Sequence, residues 1–181
     1  MKVSAKNLLA IGVLAATLPA LAIAQGNVGP SQGDREFSLS GTGSSDKDFD
    51  NGSIGLSADL GWYTSPNTVF GVRQSVNYAD IEGESGSDDF WNGSTRGYVD
   101  YHFLNGKARP FVGASLGAIY GDAVEDTGFA GLEVGLKYYV LDSTYILARA
   151  EYQFFFDDGD EAEDNFDDGA FAYVIGIGFL F

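Results

Sequence analysis

The chain contains no cysteine, one histidine (His102), and only 10 lysines and arginines against 26 aspartates and glutamates among 181 residues. Without thiols there is no disulfide scaffold, no thiolate metal centre and no cysteine nucleophile. One imidazole leaves little for histidine-based catalysis or metal binding. The formal charge of −16 excludes nucleic acid as a partner, because phosphate contacts require lysine and arginine. Beyond the N-terminus no run approaches the roughly 18 apolar residues of a membrane helix, and helical periodicity is missing. The length suits one domain.

What the sequence does contain begins with an export signal. Lys2 and Lys6 precede an apolar run from Leu8 to Leu21, and Ala22-Ile23-Ala24 supplies a small-x-small cleavage pattern before Gln25. Residues 1–24 therefore read as a secretory signal peptide; a membrane anchor would need about 20 apolar residues. Residues 25–35 (QGNVGPSQGDR) are polar and glycine-rich and are expected to form a flexible lead-in. The domain proper is expected over 36–181.

Within that domain, eight runs alternate apolar and polar residues, the period-2 pattern of strands. They fall at about 36–45, 53–63, 69–80, 94–103, 110–121, 128–140, 145–156 and 169–181. Their length matches the roughly 9–11 residues of a tilted strand crossing a bilayer. Short turns containing Pro66-Asn67, Asn105-Gly106 and Asp142-Ser143 follow the second, fourth and sixth runs. Acidic segments around 46–52, 81–93, 122–127 and 157–168 follow the odd-numbered ones. The expected fold class is all-β: an eight-stranded antiparallel up-and-down transmembrane β-barrel.

Three features turn the apolar face outward. Charged residues share one parity: Glu36, Asp59, Arg73, Arg96, Asp100, Glu133, Lys137, Arg149 and Glu151 stand opposite Ile54, Leu56, Leu60, Val72, Val76, Val99, Leu116, Leu132, Val134, Leu136, Ile146, Ile175 and Ile177. A charge facing lipid at mid-bilayer costs about 2–4 kcal/mol, so a membrane enforces this segregation. The polar face is also rich in glycine (Gly61, Gly71, Gly113, Gly131, Gly178), which suits a narrow barrel interior and makes a poor soluble core. Aromatics gather at both ends of the apolar face. Trp62, Phe70, Phe103, Tyr138, Phe179 and Phe181 lie toward the short turns; Tyr78, Tyr120, Phe154, Phe156, Phe171 and Tyr173 lie toward the acidic segments. Paired girdles of this kind mark membrane interfaces.

The last segment, Tyr173-Val174-Ile175-Gly176-Ile177-Gly178-Phe179-Leu180-Phe181, resembles the closing strand of bacterial outer-membrane barrels. Arg109-Pro110-Phe111-Val112-Gly113-Ala114 with Leu116-Gly117 resembles the fifth-strand opening of small OmpA-like and OmpX-like proteins of the porin-like group. The resemblance implies residence in the outer membrane of a Gram-negative cell, with lipid and lipopolysaccharide as neighbours. It also implies insertion by the barrel assembly machinery, with Tyr173, Ile175, Ile177, Phe179 and Phe181 as the assembly signal. No peptidoglycan-binding segment follows Phe181, so that anchoring role is not expected.

The candidate site is a lumen polar network of Asp59, Arg73, Arg96, Asp100, His102, Glu133, Lys137, Arg149 and Glu151. It reads either as an ion path gated by salt bridges or as a static plug, and the plug is favoured because side chains fill eight-stranded barrels. Segment 157–168 holds eight acids in twelve residues and reads either as a collector of Ca²⁺ or Mg²⁺ or as a solvated, self-repelling loop, and the solvated loop is favoured. The segment from Asp46 misses the EF-hand pattern, with its glycine late and Ser57 where the bidentate Glu belongs. His102 with Asp100 two residues away is a weak base–orienter pair, read instead as a lumen histidine. Phe49, Phe90, Trp91 and Phe166 lie in hydrophilic stretches, where they could anchor a partner or pack on headgroups. The expected role is non-enzymatic, with no cofactor: envelope support or surface interaction through acidic loops. The alternatives are a narrow channel or transporter for ions or small hydrophobes, and a lipid A-modifying enzyme.

Overall fold

The structure, a computed structural model, describes residues 28–46, 52–83, 86–121, 124–156 and 169–181; side chains are described except at 44–46, 52–54, 78–83, 86–91 and 124–126. Eight strands follow in order: β1 (Arg35–Asp46), β2 (Gly52–Ser65), β3 (Thr68–Gly83), β4 (Gly86–His102), β5 (Ala108–Gly121), β6 (Val124–Tyr139), β7 (Thr144–Phe156) and β8 (Ala170–Leu180). Each pairs antiparallel with the next, and β8 returns to β1 over Glu36↔Leu180 to Asp46↔Ala170. Closure leaves no strand edge unpaired, which the interior of a bilayer requires of any spanning sheet. The expected signal peptide and the acidic segments 47–51 and 157–168, with Phe49 and Phe166, lie outside the described residues. So do the side chains of Ile54, Tyr78, Phe90 and Trp91.

The barrel is inside out. Ile175 is 71% exposed and Leu116 64%, whereas Arg73 and His102 are 0% exposed. The outer wall repeats this pattern through Leu56, Val72, Val99, Leu132, Val134 and Ile146. In water such a surface would expose a continuous apolar band, which soluble monomers do not carry. In lipid the same band is the solvated face.

Three strands run further than the apolar alternation indicates. β3 and β4 stay paired to Gly83↔Gly86, through most of the acidic stretch 81–93 that reads as a loop, and register places Asp80 opposite Asp89. β6 likewise starts at Val124, inside the acidic segment 122–127. Apolar alternation stops where lipid stops, but main-chain pairing needs no apolar side chain and continues into water.

The short-turn end is closed off. Pro66-Asn67 joins β2 to β3, and Asn67 is fastened to the end of β4: its carbonyl accepts from the His102 backbone N–H at 2.7 Å and its side-chain amide donates to the His102 carbonyl at 2.7 Å. Residues 28–34, expected to be a loose lead-in, form a strap across this end. Gly29 N–H donates to Asp142 O at 3.1 Å and Gly33 N–H to Tyr63 O at 2.8 Å. Val28 packs on a buried cluster of Phe111, Tyr139, Tyr145, Leu147 and Val174.

Candidate functional site

Strand register decides which lumen charges meet. Asp59 on β2 stands directly opposite Arg73 on β3, an attractive pair. The next pairings put like charges together: Arg73 opposite Arg96, and Glu133 opposite Glu151. Like charges facing across a ladder repel, so these side chains reach across the lumen instead.

The result is three tiers. In the middle tier, Arg73 donates from Nε to Asp59 at 3.0 Å and from both Nη atoms to Glu133 at 2.8 and 3.2 Å. Arg149 donates to the same Asp59 at 3.0 Å and approaches Glu133 at 3.6 Å. Two guanidinium groups and two carboxylates therefore interlock, with Ser57 donating to Asp59 and Ser75 to Ser57. Toward the acidic end, Arg96 pairs with Glu151 at 3.3 Å, and Ser115 and Gln153 also donate to Glu151. Toward the short turns, Lys137 Nζ meets both Glu36 oxygens at 2.7 Å. The hydroxyls of Tyr63, Tyr145 and Tyr98 converge on the same carboxylate at 2.7, 2.9 and 3.3 Å.

Asp100 and His102 take part in none of these ion pairs, but the Asp100 carboxyl is hydrogen-bonded to that of Glu133 in the middle tier. Asp100 flanks Gly113 on one side as Glu133 does on the other. The His102 ring sits between Tyr63 and Phe111; its Nδ1 faces the Asn67 carbonyl at 3.2 Å and its Nε2 has no hydrogen-bond partner. The base–orienter pairing suggested by their spacing is not made.

Several interior residues are absent from the sequence-based network. Glu36 is the hub of the lowest tier. Arg109, just before the fifth alternating run, is buried and donates to the carbonyls of Pro66, Val28 and Gly106 at 2.9, 2.9 and 3.2 Å. Tyr63, Tyr98, Phe111, Tyr139 and Tyr145 form an aromatic filling, over which the cations lie: Arg73 is 4.5 Å from the Tyr98 ring centre and Lys137 5.1 Å from that of Tyr145. Parity carries the signal for all of them, since Tyr98 shares its face with Arg96 and Asp100, and Tyr145 with Arg149. Interior glycines make the room. A Cβ on Gly71 would approach the Tyr98 ring to 2.7 Å, and one on Gly178 would overlap Tyr145.

Chemically, the arrangement is a solid. Asp59, Arg73, Glu133 and Arg149 are each at most 5% exposed, and each charge is compensated across the lumen. Below them the aromatic filling and the strap close the barrel. Among the described residues no group of three or more His, Asp or Glu side chains is placed to hold a metal ion.

A closed eight-stranded barrel with apolar exterior, ion-paired filling and short turns at one end decides the architecture. The fold is that of the small outer-membrane β-barrels. The outer membrane protein OprG of Pseudomonas aeruginosa superposes with a TM-score of 0.63 at 11% identity, covering 84% of this chain and 98% of that one. Neisserial surface protein A gives 0.59 at 16% identity, over 82% and 96%. The attachment invasion locus protein Ail of Yersinia pestis gives 0.54 at 14%, over 83% and 99%. No protein-family model and no curated relative matches the chain in sequence. Barrels of this fold thus preserve architecture at identities where side-chain roles do not carry over.

Proposed function

We propose that the protein is a non-conducting outer-membrane barrel whose role is to support the envelope and present acidic loops to the outside. The interlocked middle tier carries the reading. An ion crossing the lumen would have to part Arg73 and Arg149 from Asp59 and Glu133, leaving buried charges uncompensated, and breaking such a pair costs about 3–5 kcal/mol. His102 is fully buried among Tyr63 and Phe111 at the short-turn end, which gives a substrate no approach and argues against the enzymatic alternative. The acidic segments shape the surface role. Ail forms a complex with sucrose octasulfate, a heparin analogue; loops as acidic as 157–168 would repel sulfate and favour cationic partners or divalent ions.

Planar-bilayer recording of the reconstituted mature protein tests the closed lumen. The expected trace is silent, and single-channel steps at physiological salt would replace this reading with the channel. External protease on intact cells, cutting within 157–168 but not at the short turns, tests the orientation. Adhesion and envelope integrity unchanged after Asp→Asn replacement across 157–168 would remove the loop-mediated role.

A further inference from the structure

The outer wall is apolar with one conspicuous exception. Gln74 on β3, Thr95 on β4 and Tyr120 on β5 all point outward and are exposed. Among the described residues they bond only to one another and to adjacent backbone. Gln74 Nε2 donates to Tyr120 Oη at 2.6 Å and reaches the Ser75 carbonyl at 3.4 Å; Thr95 Oγ1 donates to Gln74 Oε1 at 2.6 Å and lies 3.0 Å from Tyr120 Oη. The Tyr120 ring is laid over Gly93, where a Cβ would meet it at 2.7 Å. Tyr120 is one residue from the acidic-loop end of β5, and on β3 the exposed Val76 lies beyond Gln74, so the cluster sits just inside that edge of the apolar band.

Counting protons defines what this cluster can accept. The Ser75 carbonyl fixes which end of the Gln74 amide is nitrogen, and both of its N–H groups are then used. The Thr95 proton goes to Gln74 Oε1, so the 3.0 Å contact takes the Tyr120 proton. Every donor is consumed within the ring, and only lone pairs on Gln74 Oε1, Thr95 Oγ1 and Tyr120 Oη remain. A ligand must bring its own hydrogen-bond donors. A second copy of the chain meeting this face across a two-fold axis would bring lone pairs to lone pairs, so self-association here is disfavoured.

Below the cluster the wall is cut away. Gly97 lies between Val72 and Leu116 in register, and a Cβ there would meet nothing nearer than the Gly71 carbonyl at 3.9 Å. Two residues further along β4, Val99 lines an apolar groove of about 610 Å³ together with Ala114, Leu132, Val134 and Phe171. A polar cluster at the interface above a slot and groove in the lipid-facing wall has the layout of an amphiphile.

We propose that Gln74, Thr95 and Tyr120 bind the donor-bearing headgroup, ammonium or hydroxyl, of a membrane lipid whose acyl chain lies along the Gly97 slot. The test compares lipids that differ in headgroup donors. The mature barrel is reconstituted in bilayers of equal phosphatidylcholine, phosphatidylethanolamine and phosphatidylglycerol, and co-released lipids are weighed by native mass spectrometry. Choline has no N–H. Retention of the ethanolamine or glycerol lipid over phosphatidylcholine is expected at about fivefold, the worth of one hydrogen bond; the two arms tell ammonium from hydroxyl. Thr95→Val and Tyr120→Phe should each weaken the preference, and the two together abolish it, while the barrel keeps its folded, heat-modifiable gel mobility. Equal retention of all three lipids by the unaltered protein overturns the proposal without reference to any variant. So does a preference that survives both substitutions, or a dimer cross-linked through Tyr120.

Discussion

Arg73 joins two carboxylates on different strands while fully buried. Arg73→Met leaves Asp59 and Glu133 with Arg149 alone and is expected to destabilise the barrel by about 3–5 kcal/mol, read from urea unfolding in detergent micelles. Adding Asp59→Ala should cost less than the sum of the single changes, because one cycle removes both partners of a pair. Glycine positions divide by mechanism. Gly178→Ala forces a methyl into the Tyr145 ring, whose hydroxyl holds Glu36, and overpacking of this kind costs about 1–3 kcal/mol. Gly106→Ala meets no neighbour, but its φ of +117° is strained for an L residue, so a loss of about 1 kcal/mol is expected from backbone alone. At this scale parity was legible and partnership was not. The sequence places Arg73 and Glu133 on the same face, yet they are 60 positions apart and meet only across a closed lumen.

Among the elements, the strap over 28–34 and the long β3–β4 hairpin are where pattern reading fell short, for opposite reasons. Residues 28–34 have no periodicity, so their order arises from backbone groups that dock on Asp142, Tyr63 and Arg109. Arg109→Met removes a charged donor from three carbonyls and should speed amide exchange at Gly29 and Gly33, leaving amides such as Val72 and Leu132 in mid-strand protected. Exchange that accelerates uniformly through β3 and β6 would instead make Arg109 a global support. The hairpin extends because paired backbone remains satisfied outside lipid, whereas the side-chain pattern changes at the membrane edge.

At the level of the whole molecule the governing fact is which side of the wall is wet. Ile175 and Leu141 are almost equally exposed, 71% and 66%, yet one lies mid-strand on the outer wall and the other in a short turn. Ile175→Arg is expected to cost about 2–4 kcal/mol and to deplete folded barrel from membranes. Leu141→Arg should assemble normally. Equal tolerance, measured by heat-modifiable mobility of membrane extracts, would mean that the outer wall does not face lipid.

Eight alternating runs, charges confined to one parity and aromatics at both ends determined the fold class and its inverted polarity. Those properties depend only on neighbours two positions apart along the chain, and a strand's pleat converts that spacing directly into a face. Three things waited for the closed barrel: the cross-lumen pairing of Arg73 and Arg149 with Asp59 and Glu133, the convergence of three tyrosines and Lys137 on Glu36, and the donor-exhausted ring of Gln74, Thr95 and Tyr120. Each joins residues from three or more strands, and their distances depend on register and closure, which no local pattern encodes.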